Sequence, residues 1–359
     1  MKNLFPFTLC LGLFASTILP ASAAFSSLYV FGDSLSASHD GVIPAPGGPD
    51  YYGLRWSNGR VWVEVLAQRQ GLTLSNADND SYFDHNSSDT LTDVKNFTAP
   101  PDASNDLVVV WVCNADMYDD WQNLISLSQW QATNTVSLAN HFQIITNLYA
   151  KGVRTLVLPN AVDISKIPAV NISGSYTNTA RAGCLDFNAR LTNTLNQALA
   201  VCPGLTIYSP DYFTLLNHVL TNAAYYGLTN ALQGGLSIDA YSSVASLSLS
   251  NGIGPKYIFW DPQDPSARLH AVMADVAQQM ISPSAVGKIT ALTGSNRLDV
   301  VNYPAGLSGF VDASATLAPV SWSPAVGIAS TNMAGSFFVP ASGSPQFYRL
   351  RFPYAWSWP

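Results

Sequence analysis

Four short apolar runs punctuate the chain. Leu28 to Phe31 stops at Gly32-Asp33-Ser34, and comparable runs follow at Leu107 to Val112, Thr155 to Leu158 and Leu205 to Tyr208. A brief continuous apolar run bounded by turn residues fits a strand buried on both faces. Between these runs the apolar positions repeat at helical spacing, over Trp62 to Gln70, Thr133 to Lys151 and Thr179 to Val201. In the last of them the repeat passes through Leu185, Leu191, Leu195 and Leu199. Strands alternating with helices predict an α/β fold with a parallel sheet covered on both faces. Ligands of such sheets sit beyond the carboxyl ends of the strands, and Ser34, Asp116 and Asn160 each follow a predicted strand. From about Ser284 the texture changes to short alternating runs, at Arg297 to Val301, Ser336 to Val339 and Phe347 to Phe352, separated by Gly, Pro and Ser. This predicts a small all-β module over 284–359, after a main domain over 24–283.

Composition narrows the setting. The chain has 359 residues, 48% hydrophobic and only 11% charged, which marks a folded protein with a large core. Its net charge of −7, with no basic run, argues against a nucleic-acid partner. Lys2, the apolar stretch Leu4 to Leu19 and Ala21-Ser22-Ala23 together read as a signal peptide over 1–23. The mature protein is therefore expected to be secreted, periplasmic or on the cell surface. No later apolar run is long enough to span a bilayer. Beyond Cys10 in the leader, the cysteines are Cys113, Cys184 and Cys202. Cys184 and Cys202 lie at the two ends of one predicted helical stretch, about 27 Å apart where a disulfide needs about 6 Å, so all three are expected to be buried thiols. Sequons stand at Asn79, Asn86, Asn96 and Asn171.

The strongest chemical signal is Phe31-Gly32-Asp33-Ser34-Leu35-Ser36. A serine in a turn after a buried strand exposes its hydroxyl at the top of the sheet, where neighbouring N–H groups can face an oxyanion. Further blocks are Arg55-Trp56-Ser57-Asn58-Gly59-Arg60-Val61-Trp62, Gly152-Val153-Arg154 with Pro159-Asn160, Phe187-Asn188 with Leu191, and Phe259-Trp260-Asp261. With these motifs the chain from about Leu28 to Ile281 resembles the GDSL (SGNH) esterase and lipase family. The resemblance implies a three-layer α/β/α flavodoxin-like sheet, no metal or organic cofactor, and acyl transfer from an ester to water through a serine. It maps Ser34 to the nucleophile and Asp261 to the aspartate that orients the catalytic histidine. The expected substrate is a small-molecule, lipid or acylated-polysaccharide ester, and the protein is expected to act as a monomer.

Three positions depart from the family pattern. Asn86 or Ser87 stands where a glycine N–H is expected to complete the oxyanion hole. In Cys113-Asn114-Ala115-Asp116, Ala115 takes the place of the oxyanion asparagine, leaving Asn114 as the nearest substitute. Asp264 takes the place of the histidine. In Asp264-Pro265-Ser266-Ala267-Arg268-Leu269-His270 it reads as a helix N-cap followed by proline, which leaves His270, and less favourably His39, as the base. Two expectations follow. The chain is a secreted ester hydrolase working through Ser34, Asp261 and His270, or it is a catalytically impaired pseudo-enzyme that binds esters or glycans on the same fold. The sequence carries no Gly-x-Ser-x-Gly elbow, His-Glu-x-x-His, Cys-x-x-Cys or phosphate-loop motif.

Overall fold

In the computed structural model, residues 25–39, 49–229, 232–281, 288–293, 297–301, 309–316, 322–328, 334–339 and 347–351 are described. The expected leader over 1–23 lies outside them. β1 (Leu28–Gly32) and β3 (Leu107–Trp111) pair in parallel at the centre of a five-stranded sheet. β2 (Asn79–Ser81) flanks β1, and β4 (Thr155–Val157) and β5 (Thr206–Tyr208) continue beyond β3, giving the order β2-β1-β3-β4-β5, parallel throughout. This order reverses direction between β1 and β3, and crevices form at the carboxyl ends where such a reversal occurs. Ser34 stands at that point. Every residue of β3 is buried. Successive strand residues face opposite sides, so both faces of the sheet are covered.

The helices form two groups. α1 (Trp62–Gln70) packs against α9 (Ala267–Ile281), joined by a buried Arg69–Asp275 ion pair at 2.9 Å and a Gln70–Gln278 hydrogen bond at 2.5 Å. α2 (Ser87–Asn96), α3 (Cys113–Gln122), α4 (Leu127–Ala150) and α6 (Tyr176–Val201) pack among themselves. The buried stripe of α6 runs through Ala180, Gly183, Cys184, Phe187, Leu191, Leu195 and Ala198. Leu185 and Leu199 instead face solvent, because small residues pack the seam with α4. Gly183 permits that seam: a Cβ there would fall 2.0 Å from the Trp130 ring. α5 (Pro168–Asn171), α7 (Tyr212–Thr221), α8 (Ala240–Ser243) and the hairpin of β6 (Leu232–Gln233) with β7 (Leu236–Ser237) complete this part. Cys113, Cys184 and Cys202 are buried free thiols, as their spacing predicted. Of the sequons, Asn79 is fully buried with its amide on Ser36 and Ser38, Asn86 caps α2, and Asn96 is exposed.

Beyond α9 the described elements are all strands. β8 (Lys288–Thr293), β9 (Arg297–Val301) and β12 (Ala334–Phe338) form one antiparallel sheet, and β10 (Gly309–Ser314), β11 (Ser323–Ile328) and β13 (Phe347–Arg351) form another. Leu298, Val300, Val311, Ile328 and Val339 make a small core of their own. Among the described residues, no helix is long and apolar enough to cross a membrane.

Candidate active site

Ser34 follows β1 in a tight turn. Gly32 is required there, because a Cβ would meet the Trp111 carbonyl oxygen at 2.4 Å. The Asp33 N–H donates to that same carbonyl at 3.2 Å, and Asp33 Oδ1 accepts the Leu35 N–H at 3.1 Å. Asp33 thus folds the turn around Ser34 from beneath. Burial pushes its carboxyl up to about 7.

The Ser34 hydroxyl donates to Asp264 Oδ1 at 3.2 Å. α9 begins at Ala267, whose N–H is accepted by Asn58 Oδ1 at 2.8 Å. Asp264 is therefore not the helix cap: it lies in the loop before α9, and its carboxyl meets the serine. The fold closes the loop over this pair. Trp260 N–H donates to the Asp264 carbonyl at 2.8 Å, and the Asp264 N–H donates to Asp261 Oδ1 at 2.8 Å. Asp261 Oδ1 also accepts the Gln263 N–H, and Asp261 Oδ2 accepts the Tyr51 hydroxyl at 3.0 Å. Asp261 thus pins the loop that carries Asp264. Burial raises the Asp261 carboxyl to about 6 even against those donors. Burial, and then the neighbouring Asp261 charge, raise the Asp264 carboxyl well above the usual aspartate range.

Residues 50–58 brace this loop from outside. Ser57 Oγ donates to the Pro265 carbonyl at 2.9 Å, and Trp260 Nε1 donates to the Asp50 carbonyl at 2.9 Å. The segment holding Asp50 and Ser57 therefore clamps the loop that runs from Trp260 to Pro265.

His270 lies inside α9, nearly fully buried, with its Nδ1 unpartnered. Burial lowers its ring to about 3, so it is neutral. It is not part of the cavity wall at Ser34, and the structure does not bring it to the serine. His39 Nε2 lies between the carbonyls of Asn76 and Asn79, at 2.7 and 2.8 Å. His85 sits beside Asp93, His141 against the Ser137 carbonyl and His218 against the Tyr226 hydroxyl.

Asn86 caps α2 by accepting the Ser88 and Asp89 N–H groups, while the Ser87 N–H and hydroxyl both donate to Asp116. Neither lines the cavity at Ser34. The loop residues that do are Phe83 and Asp84, the latter in the left-handed region at φ +64°. The sequence reading passed over it, although aspartate is one of the few side chains that tolerate that conformation. Asn114 reaches the cavity wall with its amide engaged: Oδ1 accepts the Val162 N–H at 3.2 Å, and Nδ2 lies 3.5 Å from Asp33 Oδ2. Ala115 offers the cavity no side-chain donor.

The cavity encloses about 850 Å³, its open mouth included. Its walls are mainly apolar, with Trp111, Ile164, Ile167, Leu215, Leu216 and Phe259 prominent, and Ser34, Asp33, Asp84 and Asp264 form a polar end. Among the described residues, no Lys, Arg or His lines it. Among the described residues, no three His, Cys, Asp or Glu side chains gather to hold a metal ion.

A family model described as GDSL-like Lipase/Acylhydrolase matches residues 28–277. A phosphatidylcholine-sterol acyltransferase of Aeromonas hydrophila is 42% identical over 79 residues, 20% of this chain and 23% of that protein. A GDSL esterase/lipase of Arabidopsis thaliana is 28% identical over 189 residues, 48% of this chain and 49% of its own length. The chain thus spans about half or less of the curated relatives it matches. Among solved structures, LAE5, an α/β hydrolase enzyme from the metagenome of Lake Arreo in Spain, is similar at 14% identity and a TM-score of 0.41. That match covers 72% of this chain and 98% of LAE5.

Proposed function

This chain belongs to the GDSL-like lipase/acylhydrolase family, and we propose that it is an exported hydrolase moving an acyl group from a carboxylic ester to Ser34 and then to water. One observation carries the reading: the Ser34 hydroxyl stands at the polar end of a cavity whose remaining walls are largely apolar. A neutral acyl chain fits those walls, and its carbonyl would lie at the serine. The N–H groups of Ser34 and of Asp84 are the proposed oxyanion donors. Because Ala115 supplies no amide, the oxyanion is less well held than with a side-chain donor, a deficit of about 3–4 kcal/mol in the transition state. Asp261 acts by positioning the loop of Asp264. The mature chain begins at Ala24 or Phe25 and works as a monomer. The hydrolase unit ends near residue 283, and the module over 284–359 serves packing or surface attachment.

The test is turnover of a panel of neutral aryl and lipid esters by the mature chain and its Ser34→Ala variant, together with labelling by a serine-directed phosphonate. Turnover and label that both vanish with Ser34 support the reading. Their absence in the unaltered chain sinks it.

Ala115 and Asp264, standing where the family has asparagine and histidine, favour a second reading: a pseudo-enzyme that binds an ester or glycan without turning it over. Saturable ester binding with no acyl-Ser34 species would decide for it.

A further inference from the structure

Building on the hydrolase reading, we propose that Asp264 is the general base of this site, so that Ser34 and Asp264 work as a dyad without histidine. The Ser34 hydroxyl already donates to Asp264 Oδ1 at 3.2 Å. The main chain that carries this carboxylate is fixed at three points, by the Asp264 N–H on Asp261, by the Trp260 N–H on the Asp264 carbonyl, and by the Ser57 bond to the next carbonyl. None of the five histidines of the chain lines the cavity. The side chain in the histidine slot therefore kept the contact that the slot exists to make.

Ser34 Oγ bonds to the ester carbonyl carbon as its proton passes to Asp264 Oδ1, and the carbonyl π pair moves onto oxygen. When that oxyanion collapses, the bond to the leaving alcohol breaks, and Asp264 returns the proton to the alcohol oxygen. Water then adds to the acyl-Ser34 carbon and passes a proton to Asp264. The second collapse breaks the bond to Oγ, which takes that proton back. Ester and water become alcohol and acid, and Asp264 ends as it began.

Asp264 faces Asp261 of its own loop, Asp33 of the β1 turn, Tyr51 of the loop before α1 and Tyr118 of α3. No cation is among these groups. Burial and the Asp261 charge raise its carboxyl, and a raised carboxyl comes closer to the working range of a general base. The basic form is populated as pH rises, so turnover should climb with pH along a limb lying above the ordinary aspartate value of about 4.

The experiment measures kcat and KM of the mature chain and its Asp264→Asn, Asp264→Ala and Asp264→His variants on a neutral short-chain aryl ester from acid to alkaline pH. Thermal melting confirms that each is folded. Asp264→Asn should lower kcat by about 10²–10⁴-fold with KM little changed. Added formate or acetate should restore part of the turnover of Asp264→Ala and none in Ser34→Ala. Asp264→His should keep turnover along a different pH limb. Ser34-dependent turnover that is indifferent to Asp264→Asn would overturn the dyad and leave the hydrolase reading intact. No Ser34-dependent turnover in the unaltered chain overturns both.

Discussion

Ser57 and Pro265, 208 positions apart, are joined by a hydrogen bond from the Ser57 hydroxyl to the Pro265 carbonyl at 2.9 Å, with both residues out of solvent. The bond fixes the residue next to Asp264. In Ser57→Ala the buried carbonyl loses its partner, at a cost of about 1–3 kcal/mol. We expect a lower Tm and slower phosphonate labelling of Ser34, with Gly32 and its turn untouched.

Asp84 is exposed at φ +64° on the cavity rim. Glycine accepts that conformation freely, whereas a β-branched residue pays about 1–2 kcal/mol for it. Denaturant unfolding should place Asp84→Gly at or above the parent in stability and Asp84→Val clearly below it. Equal stability of the two variants would argue against the left-handed turn.

Arg69 and Asp275 form the buried ion pair between α1 and α9. Burial still dominates at Asp275 and raises its carboxyl to about 6 despite the guanidinium. Removing the cation alone, as in Arg69→Met, leaves an uncompensated carboxylate and should destabilise by about 3–5 kcal/mol. Adding Asp275→Leu should recover most of the loss, which a double-mutant cycle in urea would measure.

Stability should fall as pH rises from about 4 to about 7. Burial raises Asp33 and Asp120 to about 7 and Asp119, Asp261 and Asp275 to about 6, from an ordinary 3.8. In that window the folded chain binds more protons than the unfolded chain, so the slope of unfolding free energy against pH is negative. His270, His141 and His218, whose rings burial lowers, pull the other way within this window but are outnumbered by the raised carboxyls, whereas the lowered carboxyls of Asp211 and Asp299 act only below about 4. Tm should be higher in mildly acidic buffer than at neutrality. A Tm that rises steadily to neutral pH would contradict the burial of these carboxyls.

The cavity's polar end is acidic, and among the described residues no cation lines it. Esters of neutral monocarboxylic acids should therefore be turned over or bound better than half-esters of dicarboxylic acids of the same length. Adding salt should narrow the gap, because screening weakens the repulsion. Matched aryl esters would show it in kcat/KM, or in competition with phosphonate labelling.

Much of the fold was legible in the sequence because β1 and β3 are continuous apolar runs and α1 is a periodic one; Trp62–Gln70 is the helix as predicted. β2 was missed, since Asn-Asp-Ser carries no strand preference and pairs through its backbone alone. α4 starts earlier than its apolar repeat, at Leu127, where Ser126 and Gln129 form a capping box. At the site, the proposed nucleophile Ser34 was picked out by one local motif. Asp264 was misjudged for a physical reason: Asp before Pro is a good local cap, and only the contact with a residue 230 positions away shows what its carboxyl does. Asp84 and the Ser57 and Asn58 clamps depend on tertiary position in the same way.

That separation has a consequence for how the molecule comes into being. Ser34 is made early in synthesis, and its partner appears only after all five strands of the parallel sheet. Contacts between distant positions form late, because the intervening chain must be ordered before they repay its lost freedom. No N-terminal fragment ending before Asp264 can hold the pair, however well its β1 turn is formed. On the proposed dyad, reactivity at Ser34 would report a finished domain: a nascent or clipped chain should stay silent to a serine-directed probe until residues 258–267 have docked.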